Sequence, residues 1–183
     1  MNKVEPIRDP AVIKNIEEYL KAQSQRNYML FLCGIYTGRR ITDLLSLQVR
    51  DVRGKRNIKF FEKKTKKVNS VRVNEILFKE LELYTMNMND YEYLFQSRQG
   101  ANIPISRVQA YNILKDAGKA FGIDDLATHS MRKTFGYFMY QQTKDVALVQ
   151  QLLGHSDPMT TLRYIGIIQD TTDKAIEKLK FEG

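Results

Sequence analysis

Leu153-Gly154-His155-Ser156-Asp157-Pro158-Met159-Thr160-Thr161-Leu162-Arg163-Tyr164 sets a histidine and a tyrosine nine residues apart. The pair falls where two segments of helical periodicity meet, near 145–153 and 159–165. Taken alone, that tyrosine is one of ten in the chain, and most tyrosines pack a ring and tie down a hydroxyl. Toward the N-terminus, His129-Ser130-Met131-Arg132 opens a helical segment near 129–142, and its i and i+3 side chains share one face. Farther back, Thr37-Gly38-Arg39-Arg40-Ile41-Thr42-Asp43-Leu44-Leu45-Ser46-Leu47 breaks one helix at Gly38 and starts the next at Arg40. Arg40 and Asp43 stand three apart, so the carboxylate can orient the guanidinium while Leu44 and Leu47 face the core. Between these two segments, Glu62-Lys63-Lys64-Thr65-Lys66-Lys67 occupies the tip of an expected β-hairpin.

The rest of the pattern is mainly helical. Val12, Ile13, Ile16, Tyr19 and Leu20 recur at helical spacing behind Asp9-Pro10, which supplies a cap and a first turn. Met29 to Tyr36 forms a second apolar segment. From Leu47 to Val73 the period changes: Val49, Val52, Ile58, Phe60, Val71 and Val73 lie in short runs, predicting a meander of three strands. Ile76, Leu77, Leu81, Leu83 and Tyr84 resume the helical period, and Ser106 or Asn102 opens a helix that Gly122 stops. After Tyr164, Ile165 to Gln169 read as a tether and Asp170-Thr171-Thr172-Asp173 as a helix cap. Ala175, Ile176, Leu179 and Phe181 then give a tail helix over 170–183 an apolar stripe. The expected fold is α+β, mainly α with a small antiparallel three-stranded β-sheet. It forms a single domain over 1–183, since no repeat or linker divides the chain.

Composition narrows the function. The 183 residues carry 29 Lys plus Arg against 21 Asp plus Glu, a net charge of +8. Ten of the basic residues lie between Arg50 and Arg72, opposed only by Asp51 and Glu62, so this segment holds the whole excess. A localised basic stripe fits a polyanion, because neutralising phosphates releases counterions. With 43% hydrophobic and 27% charged residues, the chain reads as globular. Cys33 is its one cysteine, which excludes a disulfide framework and a cysteine-based zinc site. It has no run of about 18 apolar residues, no signal-peptide core, no Gly-rich phosphate loop of the GxxxxGK[ST] kind and no carboxylate cluster of a two-metal nuclease. A cytoplasmic protein without metal, cofactor, membrane or small-molecule substrate is expected.

In this order the four motifs resemble the tyrosine recombinases, the phage-integrase family. That pattern is an arginine in a TGxR-[IL]-x-[ED] segment, a lysine on a β-hairpin, HxxR, then LGH with a tyrosine nine residues after its histidine. Arg40, Lys64, His129, Arg132, His155 and Tyr164 match, over a stretch from about Pro10 to Tyr164. Arg40 rather than Arg39 keeps Ile41-Thr42-Asp43-Leu44 in register. Lys64 is chosen over Lys63, Lys66 and Lys67 because Lys-Thr follows the β-run.

The resemblance implies a catalytic domain in which Tyr164 attacks a DNA phosphodiester, forming a 3′-phosphotyrosyl link that a second 5′-hydroxyl reverses. A tyrosine hydroxyl has an ordinary pKa of about 10, so it needs a proton acceptor and a masked phosphate. Arg40 and Arg132 would fork onto the non-bridging oxygens, a role worth roughly 10³–10⁵ in rate. His129 would accept the tyrosine proton or bind an oxygen, and His155 would donate to the phosphate. Lys64 would protonate the departing 5′ oxygen, a general-acid effect of about 10²–10⁴. Arg50, Arg53, Lys55, Arg56, Lys59, Lys63, Lys66, Lys67, Arg72 and Lys133 would contact double-stranded DNA, and the tail helix would dock on a neighbouring copy. The family's usual N-terminal DNA-binding domain is expected to be absent. The rival readings are a DNA-binding regulator that keeps the fold, which has no need of Tyr164, and a type IB topoisomerase, which the short spacing from LGH to Tyr disfavours.

Overall fold

The computed structural model describes residues 4–62 and 67–180. Asp9 accepts a hydrogen bond from the Ala11 N–H and Pro10 takes the first helical position, which starts α1 (Pro10–Gln23). Ser24 ends α1 and caps α2 (Gln25–Thr37). α2 is apolar nearly all round and becomes the central helix, burying Tyr28 to Ile35. Against it pack Ile16 and Leu20 of α1, and Leu44 and Leu45 of the short α3 (Ile41–Leu45). Leu77 and Leu81 of α5 (Glu75–Thr85), Leu114 of α6 (Arg107–Ala120) and Met131 of α7 (Thr128–Thr143) complete this core.

One expectation is corrected. Among the described residues the sheet has two strands, β1 (Asn57–Glu62) and β2 (Lys67–Arg72), paired antiparallel with Asn57 opposite Arg72 and Glu62 opposite Lys67. The run expected as a first strand instead forms a helical turn, α4 (Val49–Val52). Asp51 stands three residues after Gln48 and accepts its backbone N–H at 2.8 Å, the reciprocal half of a helix-start box. The backbone of 47–50 spends its remaining bonds on 90–94: the Val49 N–H donates to Glu92 O and the Leu94 N–H to Leu47 O. Val49 and Val52, three apart, both stay buried on one face of the turn. Within the hairpin, Ile58, Phe60 and Val71 point to the core while Lys59 and Arg72 point outward, the period-two alternation of a half-buried sheet.

The C-terminal third forms a second, smaller core. Val149 and Leu153 of α8 (Val146–Leu153), Ile165, and Ile167 of α10 (Ile167–Glu177) are its buried members. α9 (Pro158–Tyr164) lies between them, and Phe135, Tyr137 and Tyr140 of α7 pack alongside. Here a second expectation gives way. The link after Tyr164 is Ile165 and Gly166 alone, and Asp170 to Asp173 lie inside α10 rather than capping it. Gly166 has φ +82°, a left-handed conformation that lets the chain turn directly into the next helix. Phe181 of the expected tail stripe lies outside the described residues. No helix among the described residues is long and apolar enough to cross a membrane.

Candidate active site

The ends of several helices meet at one cavity of about 270 Å³, lined by Arg40, Ile41, Thr42, Arg107, Thr128, His129 and Arg132. Arg40 is the residue at which α3 starts, Arg107 opens α6, and Thr128 and His129 open α7. Helix N-termini present unsatisfied N–H groups and partial positive charge. Beside three guanidinium groups, such a cavity suits an oxyanion.

Arg132 is 3% exposed. Its Nη1 donates to Gly38 O at 2.6 Å and its Nη2 to Leu153 O, so its charge is met by the carbonyl ends of α2 and α8. The start of α7 is fixed from inside the same motif, where the Ala127 N–H donates to the Ser130 hydroxyl at 3.1 Å. Arg39 and Arg40 part company here. Arg39 is buried, donates from Nη2 to Leu152 O at 3.0 Å and lies 5.6 Å over the Phe60 ring. Arg40 is exposed on the cavity wall. Two arginines thus grip the last carbonyls of α8, and the turn through Gly154 delivers His155, whose N–H donates to Gln150 O at 3.1 Å.

Tyr164 ends α9 beside these groups. Its hydroxyl lies 3.4 Å from His129 Nδ1, and its ring meets the His155 ring edge-on with centroids 4.8 Å apart. The Lys133 ammonium lies over the Tyr164 ring, 5.0 Å from its centroid. His155 Nδ1 is 3.2 Å from the Thr161 hydroxyl, which donates in turn to Asp157 O. Asp157 caps α9 by accepting the Thr160 N–H at 2.8 Å. Burial pushes the Tyr164 hydroxyl up, partly offset by the charge and hydrogen bond of Arg132 and by Arg40. Both histidines are held below their ordinary pKa, first by loss of water and then by Arg132 and Arg40, with Lys133 adding to the effect at His129. At neutral pH the site therefore pairs a protonated phenol with a neutral imidazole able to take its proton.

Five of the six motif residues therefore meet in one place: Arg40, His129, Arg132, His155 and Tyr164. Asp43 lies in the first turn of α3, where a carboxylate favours the helix N-terminus. Lys64 lies outside the described residues, as do Lys63 and Lys66, and Lys67 opens β2. Of the other basic residues, Arg53 pairs with Asp90 at 2.7 Å and Arg56 with Glu75 at 2.5 Å, the latter also lying 3.7 Å over the Phe78 ring. Arg50, Lys55, Lys59 and Arg72 are exposed. The sequence reading missed Arg107, Thr42 and Thr128. The Ser106 helix cap was a signal for Arg107, but nothing local joins that cap to the motifs. Among the described residues no group of three or more His, Cys, Asp or Glu is placed to hold a metal ion.

Residues 9–169 match the phage integrase family, and the chain belongs to that family. Among its relatives, the probable integrase/recombinase YoeC of Bacillus subtilis (strain 168) is 46% identical over 175 residues, 96% of each chain. A tyrosine recombinase of Pseudothermotoga lettingae is 28% identical over 197 residues, all of this chain and 68% of that one. In three dimensions the fold resembles the XerH site-specific recombinase in its post-cleavage complex with a palindromic difH substrate. The TM-score is 0.75 at 19% identity over 97% of this chain, which spans 54% of that longer one.

Proposed function

We infer that this chain cuts and rejoins double-stranded DNA at specific sites, with Tyr164 as the nucleophile. The observation that carries this reading is the Tyr164 hydroxyl 3.4 Å from His129 Nδ1, next to a cavity walled by Arg40, Arg107, His129 and Arg132. A scissile phosphate in that cavity places its non-bridging oxygens among the guanidinium groups. Tyr164 Oη bonds to phosphorus, its proton passes to His129 Nδ1, and the bond from phosphorus to the 5′ oxygen breaks. Lys64, carried between β1 and β2, supplies the proton that the departing 5′ oxygen needs. Reversal by a different 5′-hydroxyl breaks the tyrosyl–phosphate bond and joins exchanged strands. The phosphodiester energy is kept in the covalent link, so neither step calls for ATP.

Self-association belongs to the same proposal. Ile176 and Leu179, at the end of α10 and just beyond it, are 64% and 62% exposed, an apolar surface suited to a neighbouring copy on DNA. The function is tested with duplexes drawn from the DNA on either side of the coding sequence, one of them labelled. Labelled product joined to unlabelled partner in the absence of nucleotide supports recombination. Binding of those duplexes with no joined product at any enzyme concentration supports the regulator instead.

A further inference from the structure

The segment before α1 crosses the molecule to reach the helix that follows the nucleophile. Arg8 Nε donates to both oxygens of Asp170, at 2.9 and 3.1 Å, and its Nη2 lies 2.8 Å from Asp170 Oδ1. The partners are 162 positions apart in the chain, and their side chains are only 33% and 21% exposed. Glu5 holds the same Nη2 at 3.0 Å. The guanidinium lies against Gly166, where an added Cβ would stand 2.6 Å from Nη2, and 5.7 Å from the centroid of the Tyr137 ring. One residue earlier, the Ile7 N–H donates to the buried Thr134 hydroxyl at 2.8 Å. Residues 7 and 8 therefore tie the helix that carries His129 and Arg132 to the helix that begins three residues after Tyr164.

We propose that Arg8 and Asp170 are positioning residues for the nucleophile, a latch that fixes Tyr164 against His129 and Arg132. Among the described residues the small core around α9 has four buried hydrophobic members, Val149, Leu153, Ile165 and Ile167, against many more around α2, so packing alone holds α9 weakly. A partly buried, forked ion pair supplies the missing constraint. It acts at Asp170, five residues beyond Ile165, on the one side, and the neighbouring Ile7 reaches Thr134 on the other. The latch grips the first turn of α10 and leaves Ile176 and Leu179 at the far end exposed, so it is compatible with docking of that end on a neighbour.

The proposal rests on Tyr164 being the nucleophile, and its test separates the two. Single-turnover cleavage of a nicked duplex, DNA affinity and amide hydrogen exchange over residues 165–170 are measured for wild type, Arg8→Ala, Asp170→Asn and the exchange Arg8→Asp with Asp170→Arg. A displacement of about 1 Å at reacting groups can cost ~10²-fold. Each single change should therefore slow cleavage roughly ten- to a hundredfold, leave affinity within about twofold and speed exchange at 165–170. The charge exchange should recover most of the rate. Wild-type cleavage in the single variants, faster cleavage, a loss matched by lost affinity, or no recovery in the exchanged pair would each overturn the latch. Unchanged hydrogen exchange in Arg8→Ala would overturn it even if wild type formed no tyrosyl adduct, the result that would sink the nucleophile assignment itself.

Discussion

Arg39 and Arg40 are neighbours in the chain and opposites in the structure. Arg40 stands exposed on the cavity wall, whereas Arg39 is spent on the end of α8. In the sequence, register with Asp43 and Leu44 favours Arg40 over Arg39. Arg132 combines both duties, since its guanidinium is buried on Gly38 O and Leu153 O while it faces the cavity. Replacing Arg132 with Ala should cost about 1–3 kcal/mol of stability, because buried carbonyls lose charged donors. Arg40→Ala should stay within about 0.5 kcal/mol of wild type in the same denaturant titration, as surface changes do. The two histidines give a second check, and a clean one, because the chain has no others. Their depressed pKa values mean that each imidazole is neutral at pH 7 and gains its proton only in more acidic solution. Histidine resonances of the DNA-free protein should titrate with midpoints below the ordinary ~6.5. Cleavage at low DNA concentration should be level above neutrality and fall as pH drops through the His129 midpoint. A midpoint above ~6.5 at His129 would contradict the proposal that it accepts the tyrosine proton. Arg107 was not legible, because only the fold brings the start of α6 to Arg40, 67 residues earlier, and to His129, 22 residues later.

At the scale of elements, the helices were legible because their apolar periods and caps agree, as at Asp9-Pro10 and Ser106. The misread run at 49–52 shows the limit of that reasoning. Two valines three apart satisfy a strand run and a helical turn equally, and the choice was made by Asp51 and by backbone partners at 90–94 that the local sequence does not reveal. The boundary of α10 was missed for a related reason, since the residues that resemble a cap follow a glycine that had already turned the chain. The contact between α2 and α7 sets how far His129 and Arg132 stand from the core. It depends on Gly34, where a Cβ would lie 2.3 Å from Met131 Sδ and 2.9 Å from Met131 Cβ. Gly34→Ala should push the two helices apart, lowering stability by about 1–3 kcal/mol. Thermal unfolding checks this, and an unchanged midpoint would show that Met131 simply turns aside. Cys33 on the same helix is buried, which pushes its thiol up to about 12, so alkylating reagents should not reach it in the folded protein.

The whole molecule is a large core around α2 and a small core around α9, joined by α7, which packs on both, and by the contacts of residues 7 and 8. Charge at this scale was plain from the sequence, but its employment was not. Arg53 and Arg56, two of the ten basic residues from Arg50 to Arg72, are held by Asp90 and Glu75. If about five of the other eight reach phosphates, log affinity for duplex DNA should fall with log salt at a slope of roughly −4.5. Lys59→Ala and Arg72→Ala should each reduce that slope by about 0.9, whereas Arg56→Ala should leave it unchanged and lower stability instead. A salt-independent affinity would remove the segment from the DNA interface. The link between Arg8 and Asp170 could not be foreseen, because nothing local in either segment names the other.

The central claim is that Tyr164 forms a covalent bond to DNA, and peptide mapping of the trapped complex tests it most directly. A duplex nicked just downstream of the cleavage site, so that the short fragment with the freed 5′-hydroxyl diffuses away, should trap the enzyme as a denaturant-resistant adduct. Trypsin cuts after Arg163 and Lys174, so Tyr164–Lys174 is released with a single tyrosine. Mass spectrometry should find that peptide, and no other, carrying the 3′-phosphate of the cleaved strand, and Tyr164→Phe should yield no adduct while binding DNA as wild type does. A nucleotide on any other peptide, or an adduct that survives Tyr164→Phe, would contradict the account.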